Sequence, residues 1–146
     1  MGCTVRVAQL LLVVSALLLA QPLHAQTLAV IVNPANSVRT LSRRETLDIF
    51  VGRYRTFPSG MAALPIDLDI SSSERRQFYL TLAHKNSTDM TSYWARVTFS
   101  GRMSPPYTVA SAQLAVDLVA SNLNAIAYVN REAVDSRVRV VLEFTP

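Results

Sequence analysis

Residues 64–83, LPIDLDISSSERRQFYLTLA, change within one short stretch from a strand pattern to a helix pattern. Apolar residues take alternate positions from Leu64 to Ile70, which is the period of a strand with one buried face. Pro65 favours a strand start or a sheet edge. Ser71–Ser73 and Glu74 then form a capping-box sequence that predicts the start of a helix. A strand followed directly by a capped helix is the basic unit of α/β domains.

The flanking sequence continues this alternation of strands and helices. An apolar run over residues 28–32 predicts a buried strand, and Ser42 with Glu45 predicts a capped helix that ends at Gly52. Further patterns predict a helix starting within residues 86–89, a helix capped by Ser111, and strands over 125–129 and 138–144. The side chains expected to face the core from these helices are Leu47, Phe50, Val51, Phe78, Leu82, Ala83, Met90, Trp94, Val97, Leu114, Leu118 and Val119. The order β-α-β-α-α-α-β-β predicts an α/β domain with a small, mostly parallel sheet flanked by helices.

The first 25 residues have the pattern of a secretory signal peptide. Arg6 precedes an apolar run over residues 7–20, and the segment ends at Ala25, a small residue of the kind that signal peptidase requires. The run is short for a membrane span, although an uncleaved anchor is the alternative. We therefore expect residues 26–146 to form one domain outside the cytoplasm, most simply in a bacterial periplasm. Cys3 is the only cysteine, so this domain is expected to have no disulfide and no cysteine-based metal site.

The charged residues exclude some classes of partner. The formal net charge is +4, and residues 26–146 hold twelve arginines but a single lysine, Lys85. The arginines are scattered as pairs without interleaved aromatic residues, so no nucleic acid is expected as a partner. A solvated surface is the simplest interpretation, and a small anion is the other, because the arginine fork suits carboxylate and phosphate.

No catalytic, metal or cofactor motif is evident, and we expect no enzyme. His84 follows a predicted helix, where a histidine is usually a C-cap partner. Asp67 and Asp69 are two residues apart and would share one face of a strand, where they could hold a cation or act as an acid/base pair. The favoured interpretation is a solvent-facing side of the strand.

The predicted binding site is the start of the helix that follows Asp69 and Ile70. Ligands of α/β sheets collect at the carboxyl ends of strands, and helix N-termini attract anions. The hydroxyls of Ser71–Ser73 would donate to an oxyanion, and Arg75 would supply positive charge. Glu74 favours a different interpretation, in which the helix caps itself and needs no ligand.

A series of short motifs resembles one family of proteins. The motifs are Leu41-Ser42, IFVG at 49–52, FPSG at 57–60, residues 72–78 with Arg75 and Phe78, YW at 93–94, FSG at 99–101 and AIAYV at 125–129. In this order they resemble phosphate ABC-transporter substrate-binding proteins, specifically their second lobe, over about residues 30–141. The resemblance implies a periplasmic binding protein-like fold that takes phosphate between two lobes and delivers it to a membrane permease.

The resemblance also implies which residues contact the ligand. In the family, a turn of the type Gly-Ser-Gly-Thr-Arg donates to phosphate, and it would fall here on residues 71–75. Ser72 and Arg75 match that turn. Ser71 and Ser73 replace glycines, which restricts close backbone approach, and Glu74 replaces the threonine with a negative charge.

These considerations give two hypotheses. In the first, the chain is a single lobe that weakly binds phosphate or a similar oxyanion in association with ABC transport, since a receptor with two lobes needs about two domains of chain. A second protomer of a homo-oligomer or another protein would supply the missing lobe, and a membrane permease or an envelope protein would be its partner. In the second, the chain is a ligand-free envelope accessory or interaction domain, with a contact surface around Tyr54, Phe57 and Tyr107.

Overall fold

The computed structural model describes residues 26–146, so the predicted signal peptide lies outside the described residues. Within the described part, no helix combines the length and the apolar character needed to cross a membrane. The elements are β1 (Leu28–Val32), α1 (Arg43–Phe50), β2 (Leu64–Leu68), α2 (Ser73–Ala83), α3 (Ser87–Phe99), β3 (Tyr107–Val109), α4 (Ala112–Ser121), β4 (Ala125–Asn130), a short 3-10 helix (Arg131–Ala133) and β5 (Arg139–Phe144).

The five strands form one sheet in the order β3-β2-β4-β1-β5. Strand β2 pairs in parallel with β3 and β4, whereas β1 pairs antiparallel with β4 and β5. The α/β class is therefore confirmed, but the sheet is mixed rather than mostly parallel. An apolar strand that is covered on both faces has the same composition in either direction, so its pattern does not reveal its orientation. Strand β3 was not predicted, because it has three residues and only Val109 is buried.

The core lies on both sides of the central strands. Every residue of β1 is buried, and so are residues 125–129 of β4. On one side, Phe78 of α2 stacks on Tyr128 of β4 with a centroid distance of 3.9 Å, and Phe50 of α1 meets both rings edge-on.

The core-facing side of α4 was predicted incorrectly in part. Leu114 is about half exposed, and the buried residues are Ala115, Val116 and Val119. Helix α4 has apolar residues around much of its circumference, so its sequence fits more than one helical phase.

The predicted helix starts are confirmed for α1, α3 and α4. Ser42 and Glu45 form a capping box, Asn86 and Asp89 form another, and the Ser111 side chain accepts from the N–H of Leu114. At α2 the predicted capping box is wrong by one residue. The N-cap is Ser72, whose side chain accepts from the N–H of Arg75, so Glu74 lies one position too early to complete a box.

Candidate functional site

The start of α2 lies where two parallel strands end. After β2, the N–H of Asp69 donates to the carbonyl of Val109 at 3.0 Å, which ties the end of β2 to the end of β3. The N–H of Ser72 then donates to the carbonyl of Asp69 at 2.9 Å and turns the chain into α2. Helix α4 begins directly after β3. Two helix N-termini therefore follow the carboxyl ends of neighbouring strands, which is where α/β sheets bind ligands.

The three serines of this turn donate to carboxylates of the same turn. The Ser71 hydroxyl donates to Asp69 Oδ1 at 2.6 Å. The hydroxyls of Ser72 and Ser73 donate to Glu74 Oε2 at 2.9 and 3.2 Å. The predicted contacts Ser71–Ser73 therefore lie together at the helix start. Their hydroxyls donate hydrogen bonds to Asp69 and Glu74.

The carboxylate of Glu74 supplies a negative charge at this helix start. Partial burial raises its pKa, but its own backbone N–H and the hydroxyls of Ser72 and Ser73 hydrogen-bond to it, and the pKa ends below its ordinary value. Glu74 is therefore ionised at neutral pH. The positive end of the helix dipole stabilises a negative charge at this place.

Arg75 points away from the serines, into a buried cluster around Asp67. Its Nε donates to Asp67 Oδ2 at 3.2 Å, and its guanidinium carbon lies 5.1 Å from the ring centre of Tyr79. The Nη1 atom of Arg75 is enclosed and has no hydrogen-bond partner among the described residues. A buried donor without an acceptor is uncommon and calls for an explanation.

Asp67 was expected on a solvent-facing side of β2, and that expectation is wrong. Only 3% of its surface is exposed, because α2 packs over this face of the strand. Its carboxylate accepts from Arg75, from the N–H of Leu68 at 2.9 Å, from the Tyr79 hydroxyl at 2.9 Å and from the Tyr128 hydroxyl. These donors replace the water that the carboxylate loses on burial.

The two tyrosines of the cluster are uncharged donors. Burial, reinforced by the negative charge of Asp67, raises the pKa of both Tyr79 and Tyr128 well above the ordinary value. Their hydroxyls therefore stay protonated. Neither tyrosine was predicted to have this role, because a tyrosine within an apolar pattern looks like any other core aromatic residue.

The other titratable candidates do not assemble into a site. Asp67 is buried while Asp69 is exposed beyond the strand end, so the two carboxylates are not a pair. In residues 26–146, no group of three histidine, cysteine or acidic side chains is arranged to hold a metal ion. His84 is the C-cap residue of α2, as predicted, with a left-handed φ of 53°.

Two open cavities lie near the predicted contact surface. Tyr54 and Phe57 line one cavity, of about 350 Å³. Tyr54 and Tyr107 line the other, of about 210 Å³. Tyr54 and Tyr107 are well exposed, but Phe57 is buried and belongs to the core. The prediction that Phe57 lies on a contact surface is therefore wrong, because its apolar ring packs into the core.

Comparison with known proteins finds similar solved structures but no similar family model or curated sequence. No family model and no curated protein matches the sequence. Several solved structures match across 80% of this chain. They include an ABC-type phosphate transport receptor from Vibrio cholerae (TM-score 0.63, 20% identity), a putative phosphate ABC transporter substrate-binding protein with bound phosphate from Clostridium perfringens (0.63, 18%) and a possible phosphate binding protein from Planctomyces limnophilus (0.58, 15%).

The match is to part of each of these proteins. This chain covers 46%, 45% and 42% of their lengths, so it spans less than half of each. Their names describe transport or binding proteins, and none describes an enzyme. Identities of 15–20% establish the fold and leave the ligand open. The resemblance inferred from the motifs is thereby confirmed for the fold: the chain has the α/β architecture of one lobe of a periplasmic binding protein, as found in phosphate ABC-transporter substrate-binding proteins.

Proposed function

We propose that this chain is a periplasmic, single-lobe solute-binding protein that holds phosphate or a similar oxyanion at the start of α2. The ligand contacts are the backbone N–H groups of this helix start, the hydroxyls of Ser71–Ser73 and Arg75. A second lobe, from another copy or another envelope protein, closes over the ligand, and the complex serves ABC transport.

The observation that carries this proposal is that the helix start already accommodates a negative charge, the carboxylate of its own residue Glu74. The Glu74 carboxylate accepts from two serine hydroxyls within 3.2 Å at the positive end of α2. The same donors suit an oxyanion that displaces Glu74, because phosphate and carboxylate oxygens accept the same hydrogen bonds. Arg75 supports the proposal through its positive charge and through Nη1, an enclosed donor that has no acceptor among the described residues.

Affinity in the isolated chain is expected to be weak. A closed clamp with a micromolar Kd corresponds to about 8 kcal/mol, and half of that free energy corresponds to a Kd of about 1 mM. Displacing the ionised Glu74 weakens binding further. The proposal therefore includes a second lobe as a requirement for tight binding.

The test is isothermal titration calorimetry of residues 26–146 with sodium phosphate at low ionic strength, with sulfate as competitor. We expect weak saturable binding that strengthens about 5–10-fold in Glu74→Thr, because removing a charge at a helix start changes the free energy by about 1 kcal/mol. Ser72→Ala should weaken binding several-fold.

Ser111→Ala is the matched control for Ser72→Ala. Both serines are N-caps that accept one N–H bond, so both substitutions should lower stability by about 1 kcal/mol. Only Ser72→Ala should affect phosphate binding. If neither the native chain nor Glu74→Thr binds phosphate or sulfate at several millimolar, the proposed function is wrong.

A ligand-free interaction domain is the second candidate, and one specific observation favours it. All three serine hydroxyls at the start of α2 already have acceptors within the turn, so this helix start is complete without a ligand. In that case Glu74→Thr would destabilise α2 slightly and would produce no phosphate binding.

A further inference from the structure

We propose that the free edge of β3, together with the cavity beside it, binds an extended acidic segment of a partner protein as an added strand. The cavity lies at the amino-terminal ends of β2 and β3, where Leu64, Pro65 and Tyr107 line it. It shares no residue with the proposed oxyanion contacts, so the two proposals can be tested separately. The added strand would also give the second candidate function a partner of defined chemistry.

Strand β3 is an edge strand whose outer side is open. The N–H of Asp69 donates to the carbonyl of Val109, so the backbone polar groups of Val109 face β2. Backbone groups alternate in direction along a strand, and those of Thr108 therefore face away from β2. Thr108 is exposed, and the sheet has no strand beyond β3 within residues 26–146. An extended peptide can use such groups to add a strand.

The cavity next to this edge is suited to an apolar side chain. Its volume is about 210 Å³, and the exposed rings of Tyr54 and Tyr107 and the side chain of Leu64 lie around it. A side chain from an added strand on β3 would reach this cavity, because Tyr107 belongs to both the strand and the cavity lining.

The charge around the cavity selects an acidic occupant. Arg55 is its only charged lining residue, and no acidic side chain lines it. The Arg55 side chain donates at 3.4 Å to the carbonyl of Arg102, and neither arginine forms an ion pair with another described residue. A carboxylate on the added strand would pair with these arginines. A second copy of the chain would instead bring like charges together at this edge.

Two short labelled peptides test this inference by fluorescence anisotropy. One alternates valine with glutamate, and the other alternates valine with lysine. With residues 26–146, we expect saturable binding of the glutamate peptide and at least tenfold weaker binding of the lysine peptide.

Variants separate the backbone contribution from the charge. Thr108→Pro removes the outward N–H at an edge where proline is tolerated. It should weaken binding of the glutamate peptide at least tenfold. Thr108→Val keeps that N–H and should bind like the native chain. Arg55→Ala should weaken binding about fivefold, whereas Arg96→Ala, the same charge change on exposed α3, should leave it unchanged.

Several outcomes would overturn the inference. Equal binding of both peptides, or full binding by Thr108→Pro, would exclude a charge-selective added strand. A dimer that the peptide disrupts, seen by sedimentation velocity, would assign the edge to a second copy. If Thr108→Pro does not fold, Arg55→Glu is the alternative test. We expect this variant to prefer the lysine peptide, and an unchanged preference for the glutamate peptide would overturn the inference.

Discussion

Asp67 is an acidic side chain held in the interior by four donors, three from side chains and one from the backbone. Its partners come from three elements: Arg75 and Tyr79 from α2, Tyr128 from β4 and the next residue of β2. The cluster therefore fixes how α2 lies on the sheet, and with it the position of the helix start that we propose for ligand binding. Because Arg75 binds Asp67 and is also one of the proposed ligand contacts, we expect a loss of Asp67 to affect both the cluster and ligand binding.

Replacing Asp67 with asparagine should destabilise the protein strongly. The change leaves the buried charge of Arg75 without its counter-charge, and breaking a buried ion pair in this way costs about 3–5 kcal/mol. The control is Asp117→Asn, which breaks a half-exposed pair with Arg137 and should cost about 1 kcal/mol or less. Urea unfolding followed by circular dichroism measures both. Equal losses in the two variants would contradict a structural role for the buried cluster.

At the scale of the elements, helix ends are defined by single residues. Gly52 follows the C-cap of α1 with a φ of +76°, a backbone conformation that side chains disfavour. A Cβ at this position would also overlap with Met103 Sδ and lie 3.2 Å from the ring of Trp94. Gly60 has a similar φ of +86° but faces open space. Alanine substitutions at the two glycines therefore distinguish the cost of backbone strain, which both share, from the cost of packing, which applies only to Gly52.

Gly60→Ala should cost about 1–2 kcal/mol from the left-handed conformation alone. Gly52→Ala should cost about 1–3 kcal/mol more, because the partly buried Met103 side chain must shift to make room. The double variant Gly52→Ala with Met103→Ala should recover part of that difference. The free energy of unfolding from urea titration measures all three. Equal costs for the two single alanine variants would show that Met103 moves freely.

The whole molecule depends on one aromatic group that joins the helices to the sheet. Phe78 lies at its centre and contacts the rings of Phe50, Tyr79, Tyr128 and Phe144. A domain of this size has a total stability of about 5–15 kcal/mol. Losing the central ring would therefore remove a large share of it.

Phe78→Ala should lower the free energy of unfolding by about 3–5 kcal/mol, as expected for a large buried side chain. Phe99→Ala is the matched control, because Phe99 is 95% exposed at the end of α3 and its loss should change stability by about 0.5 kcal/mol or less. Thermal unfolding compares the two variants. A comparable loss in both would mean that the aromatic group does not hold the domain together.

The sequence alone predicted the α/β class, the helices and four of the five strands, because these depend on local periodicity and on capping residues. It also predicted the serine-rich helix start after β2 as the candidate site. The direction of β1, the edge strand β3 and the buried position of Asp67 were decided only by the tertiary structure. Strand direction and burial depend on contacts between residues distant in the chain, such as Asp67 with Tyr128, and no local pattern encodes those contacts.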